Sequence, residues 1–117
     1  MKNTINAFHK IAKNNNLAFI EDAAHALGTT YKNKKVGSIA DMTTFSLHPV
    51  KHITTGEGGL VVTNHSDLAE RLRRFRNHGI SRDHHQRQEQ GTWSYDMEEI
   101  GYNYRLTELN SVLGISQ

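Results

Sequence analysis

The sequence predicts an α/β fold, on three observations. An amphipathic spacing near the amino terminus leads directly into a short apolar run. Two further short apolar runs follow, set off by Gly, Ser and Thr, and the last of them feeds a second helical pattern. Helices alternating with short apolar strands are the mark of a sheet covered by helices.

Each element has its own reason. Ile5, Phe8, Ile11 and Ala12 fall at helical spacing and predict an amphipathic helix over residues 1–15, passing through Asn14-Asn15-Asn16 into a strand at residues 17–20. That run, Leu17-Ala18-Phe19-Ile20, is expected to be buried and ends in the carboxylates Glu21 and Asp22. Residues 28–38 alternate and turn around Asn33-Lys34, which predicts a small hairpin with solvated lysines. Residues 42–47 form a second strand and residues 59–63 a third. Asn64 or Ser66 then caps a helix whose buried stripe is Leu68, Leu72 and Phe75 and which Gly79 terminates. Arg71, Arg73, Arg74 and Arg76 lie mostly off that stripe, on a solvated or interfacial face. Residues 81–98 are very polar and read as a long loop carrying Trp93 and Tyr95. A last helix is under way where the chain reaches Ser116-Gln117.

Composition narrows the function classes. A chain of 117 residues with 36% hydrophobic content supports one small domain. With no cysteine, disulfides and thiolate metal sites are out, and a net charge of +2 without a basic tract does not point to nucleic acid. No apolar run approaches the length of a membrane span, and the first ten residues lack a secretory apolar core, so a cytoplasmic protein is expected. The histidine pairs His48/His52 and His84/His85 invite a metal reading. Pro49 inside the first pair opposes helical ligand geometry, and no metal site is expected.

The chemistry concentrates in Phe45-Ser46-Leu47-His48-Pro49-Val50-Lys51-His52-Ile53-Thr54-Thr55-Gly56-Glu57-Gly58-Gly59. Here one lysine sits in a strand-to-loop segment, with the hydroxyl of Ser46 and the imidazole of His48 upstream. Downstream come further hydroxyls and three glycines that allow close backbone approach to a planar or anionic ligand. The combination suits a pyridoxal phosphate Schiff base. Asp22 at the end of the first strand belongs to the same story, because ligand groups of open α/β sheets gather at the carboxyl ends of strands. A carboxylate beside the cofactor's ring nitrogen keeps that nitrogen protonated, the condition for an electron sink. His25, three residues on, could stack on the ring or bond its phenolic oxygen. Read alone, Asp22 is more readily a turn or N-cap residue and His25 a packing histidine.

Three segments taken together, Glu21-Asp22-Ala23-Ala24-His25-Ala26-Leu27-Gly28, residues 46–59 above, and Gly101-Tyr102-Asn103-Tyr104-Arg105-Leu106-Thr107-Glu108-Leu109, resemble the DegT/StrS family of nucleotide-sugar aminotransferases. The second segment is similar in wording to the members that aminate C4 of UDP-linked 4-keto sugars, particularly in pseudaminic acid synthesis. The resemblance implies the large domain of a fold-type I aminotransferase, a mostly parallel sheet flanked by helices, with pyridoxal 5′-phosphate as cofactor. It implies that Lys51 carries the Schiff base, Asp22 pairs with the ring nitrogen, His25 contacts the ring or its oxygen, and Ser46 binds the cofactor phosphate. Asn103, with Arg105 as the alternative, would reach a phosphate across a homodimer interface. The implied reaction moves an amino group from glutamate to the 4-keto carbon of a UDP-linked deoxy sugar, for a surface or flagellar glycan. A dehydratase of the same family would bear His at the Lys51 position. Members are much longer, so residues 1–117 are expected to be the central part of the large domain, without the phosphate-cradling amino-terminal segment and the carboxyl-terminal small domain. A non-catalytic chain that associates with a partner is the other reading.

Overall fold

The amino-terminal spacing forms helix α1 (Thr4–Asn14), which ends as Asn15 Nδ2 donates to Ile11 O at 2.8 Å and Asn16 turns with φ 52°. The computed structural model describes residues 4–80, 91 and 96–117, in two units: Met1–His65 with Thr107–Gln117, and Ser66–Leu106. Trp93, Tyr95 and the His84/His85 pair lie outside the described residues.

In the first unit the strands are β1 (Ile20–Asp22), β2 (Thr30–Tyr31), β3 (Lys34–Lys35), β4 (Met42–Ser46) and β5 (Gly59–Val62). The main sheet has the order β1-β4-β5, with β1 parallel to β4 and β5 antiparallel to it. Ile20 lies opposite Met42 and Asp22 opposite Thr44, while Ser46 lies opposite Gly59. β4 is central and carries the core. Thr43 at 0% exposure, Phe45 and Leu47 are buried at alternate positions, which is the period of a strand with one face packed.

Two expectations change here. The first strand begins at Ile20 rather than Leu17, and its apolar side chains are not buried: Leu17 is 62% and Ile20 57% exposed. β1 is an edge strand, and among the described residues nothing covers those side chains. Residues 17–19 are instead tied in by other bonds, with Phe19 N donating to Asp41 Oδ2 at 2.8 Å and the Phe19 ring stacked on His9 at 5.7 Å. The hairpin turns at Lys32-Asn33, one residue earlier than expected. Both have positive φ, 46° and 64°, the signature of the two-residue turn that matches strand twist and for which Asn is favoured.

The second unit starts with α2 (Ser66–Phe75). Leu68 and Leu72 are only half-buried and Phe75 is 39% exposed, so the expected stripe is a flank of the helix rather than a core. Phase and packing still agree, since Tyr102 meets Phe75 edge-on at 5.1 Å and Tyr104 stacks on Tyr102 at 4.7 Å. Arg74 leaves the solvated set. Its Nε donates to Glu99 Oε1 at 3.3 Å and its Nη1 to Glu98 Oε2 at 3.2 Å. The helix stops at Phe75, and Gly79 closes the turn after it by donating its N–H to Arg74 O at 2.9 Å.

Gly79 and Gly101 make a backbone crossing that admits no side chain. A Cβ on Gly79, where φ is +72°, would stand 1.7 Å from Glu99 O, and one on Gly101 would stand 2.3 Å from Gly79 N. Gly79→Ala is expected to destabilise this unit by about 3 kcal/mol, combining positive-φ strain with a backbone clash. Hydrogen exchange of the Tyr102 and Tyr104 amides, which donate to Phe75 O and Arg76 O, reads that loss directly. Unchanged protection would rule out the crossing.

Candidate active site

Strand direction gathers the expected residues at one edge. Because β1 and β4 are parallel, their carboxyl ends, Asp22 and Ser46, lie at the same edge of the sheet. Because β5 is antiparallel, it starts at that edge too, so residues 47–58 span it as a loop. Lys51 sits in the middle of that loop. Lys51 N donates to His48 O at 3.0 Å, a β-turn with Pro49 at its second position, where the ring pre-sets φ.

The turn brings Lys51 Nζ to 2.9 Å from His25 Nε2. The contact joins an amine, which carries N–H donors, to an imidazole nitrogen, which accepts in the tautomer that leaves it a lone pair. Asp22 Oδ1 accepts from Ala24 N at 3.0 Å, an Asx-type turn that starts the segment holding His25. The turn reading of Asp22 is thus correct for Oδ1. Ser46 Oγ accepts from His48 N at 3.3 Å, which leaves the hydroxyl proton to be donated elsewhere. Asp22, His25, Ser46 and Lys51 therefore belong to one edge of one unit. Asn103 belongs to the other unit, in an isolated bridge opposite Asn77, whose Oδ1 accepts from Arg105 Nη1 at 2.7 Å.

The hydroxyls downstream of Lys51 do something other than meet a ligand. Leu47 O accepts from both Thr54 Oγ1 and Thr55 N, each at 3.0 Å, and Leu47 N donates to Gly58 O at 2.9 Å. Thr54 Oγ1 also accepts from Gly56 N at 2.9 Å, and Thr55, 3% exposed, donates Oγ1 to Glu57 O at 2.8 Å. These bonds staple the loop shut on either side of Lys51. Gly56, with φ +80°, supplies the reversal. The run Thr-Thr-Gly carried this signal, since hydroxyls beside Gly commonly bond nearby backbone.

A family model described as the DegT/DnrJ/EryC1/StrS aminotransferase family matches residues 2–117. The chain belongs to this family. Among its relatives is the UDP-4-amino-4,6-dideoxy-N-acetyl-beta-L-altrosamine transaminase of Campylobacter jejuni, 50% identical over 107 residues, which are 92% of this chain and 27% of that protein. Helicobacter pylori PseC, an aminotransferase involved in the biosynthesis of pseudoaminic acid, superimposes with a TM-score of 0.83 at 42% identity, over 97% of this chain and 29% of that one. Streptococcus pneumoniae Spr1654, solved in its PLP-form, does so with a TM-score of 0.71 at 33% identity, over 86% of this chain and 25% of that one. The chain thus spans less than a third of the length of the relatives it matches. The family assignment agrees with the resemblance carried by the three motifs, and the fold is that of a fold-type I aminotransferase, represented by part of its sheet. Among the described residues, no helix is long and apolar enough to cross a membrane.

Proposed function

We propose that this chain carries the cofactor-binding lysine and strand edge of a pyridoxal 5′-phosphate-dependent aminotransferase. It would transfer an amino group from glutamate to the 4-keto carbon of a UDP-linked deoxy sugar, in the cytoplasm, for a surface or flagellar glycan. The observation that carries the reading is the convergence of a primary amine, an imidazole, a carboxylate and a hydroxyl at one sheet edge, with Lys51 Nζ 2.9 Å from His25 Nε2.

The residues fit the group. A planar cationic ring needs a carboxylate, which Asp22 Oδ2 supplies, and a phosphate needs donors, which the Ser46 hydroxyl supplies. When bound, pyridoxal phosphate supplies an electron sink for charge developing at a neighbouring carbon. The protein's part is positioning and proton movement. Asp22 holds a proton on its partner nitrogen by charge, and Ser46 orients the anionic end. Lys51 Nζ would be the amine that holds the cofactor and, when free, would be the base that takes a proton from one carbon and returns it to another. His25 receives the Lys51 N–H and so aims Nζ. Asn103 is proposed to meet a phosphate across a homodimer interface.

The experiment is a chimera in which residues 2–117 replace the matching segment of the Campylobacter transaminase. It is expected to aminate a UDP-4-keto sugar with glutamate, read by mass spectrometry of the sugar nucleotide. A folded chimera that binds the cofactor and leaves the sugar unaminated would overturn the reading.

A further inference from the structure

The loop that holds Lys51 is closed by residues far away in sequence. The chain returns to the first unit with helix α3 (Glu108–Ile115), N-capped by Thr107, whose Oγ1 accepts from Asn110 N at 3.2 Å. The same hydroxyl donates to Asn110 Oδ1. With its oxygen occupied in this way, the Asn110 carboxamide presents Nδ2 outward, and Nδ2 donates to Thr55 O. Two residues beyond the helix, Gln117 Nε2 donates to Thr54 O at 2.7 Å and Gln117 Oε1 accepts from Thr54 N at 3.4 Å. Its second amide hydrogen goes to Leu113 O at 3.0 Å. Helix and loop meet without space between them, since a Cβ on Gly114 would stand 2.9 Å from Thr55 Cγ2.

We infer that Asn110 and Gln117 are positioning residues for Lys51, acting through the carbonyls of Thr54 and Thr55; the inference rests on Lys51 being the cofactor-binding amine. Thr54 and Thr55 form the downstream anchor of residues 48–53, and Leu47 the upstream one. Between the anchors Lys51 is held by its turn bond to His48 O and by the contact with His25. Loosening Thr54–Thr55 therefore lets the lysine drift from the strand edge that bears Asp22 and Ser46. A misplacement of about 1 Å at a reacting group costs on the order of a hundredfold. The two carboxamides thus set how often Nζ stands where the cofactor's aldehyde must meet it, without touching the cofactor.

The test uses the 117-residue chain, with variants Asn110→Asp, Gln117→Met and Gln117→Arg. Asn110→Asp keeps the shape and loses the donor, Gln117→Met keeps length and loses both hydrogen-bonding groups, and Gln117→Arg restores a long donor. Two quantities are measured. One is hydrogen exchange at Lys51, Thr55 and Gly56, with the Thr43 to Ser46 amides as an internal control for global opening. The other is the rate of borohydride-trapped phosphopyridoxyl labelling of Lys51 as a function of cofactor concentration. Asn110→Asp and Gln117→Met are expected to speed loop exchange roughly fivefold, the equivalent of one hydrogen bond, with the β4 amides unchanged. The limiting labelling rate falls by about tenfold while the half-saturating cofactor concentration stays put, and Gln117→Arg recovers most of the rate. Parent-like labelling rates and loop exchange in both Asn110→Asp and Gln117→Met would overturn the inference, as would a rate loss that Gln117→Arg does not recover. Failure of the parent chain to label Lys51 at all would instead overturn the reading beneath it.

Discussion

Borohydride reduction of the chain in the presence of pyridoxal 5′-phosphate is expected to leave the phosphopyridoxyl mass on the peptide bearing Lys51, and Lys51→Arg is expected to abolish it. The effect is all-or-none because it depends on a bond. A guanidinium keeps the charge but stays protonated at any workable pH and offers no free amine to condense. Position separates Lys51 from the other lysines. Lys51 is half-buried at the end of a turn with its Nζ at 2.9 Å from His25, whereas Lys34 and Lys35 stand exposed on the β2–β3 hairpin, with Lys35 Nζ on Gly28 O at 3.3 Å. A label found on Lys32, Lys34 or Lys35 in place of Lys51 would refute the assignment.

Asp22→Ala in the chimera is expected to lower the amino-transfer rate by several orders of magnitude while Lys51 is still labelled. The two readouts part because covalent capture by Lys51 needs only the amine, whereas transfer needs the ring nitrogen kept protonated by a neighbouring anion. Asp22 Oδ1 also accepts from Ala24 N, so the alanine variant loses a turn bond as well as a charge. Asp22→Asn separates these, since its amide oxygen still accepts from Ala24 N and its charge is gone. It should therefore match Asp22→Ala in rate. Transfer by Asp22→Asn within a few-fold of the parent would remove Asp22 from the role and leave it as a turn residue.

The residues proposed for the site were legible because each is marked locally. Lys51 follows a Pro and precedes a Gly-rich run, and Asp22 ends an apolar segment. The period-2 burial of Thr43, Phe45 and Leu47 was foreshadowed by the short run at residues 42–47. Exposure was less legible. Leu17 and Ile20 read as core because they are apolar and consecutive, yet burial depends on what lies over a face, and β1 is an edge strand. The direction of β5 was equally out of reach, since a four-residue apolar run has the same pattern in either direction.

The amino-acid sequence by itself determined the α/β class, the family and the identity of Lys51, Asp22, His25 and Ser46 as candidates. Local propensity and motif wording act over short stretches and survive without any knowledge of packing. Only the tertiary structure decided that Lys51 meets His25, 26 residues away, and that Asn110 and Gln117 close its loop from 55 and 63 residues away. Those contacts depend on the parallel pairing of β1 with β4 and on the return of α3 to the first unit. Hydrogen bonds between groups so far apart in the chain leave no periodicity in the sequence. The same amide that caps a turn in one protein lies in solvent in another, and the fold alone selects between them.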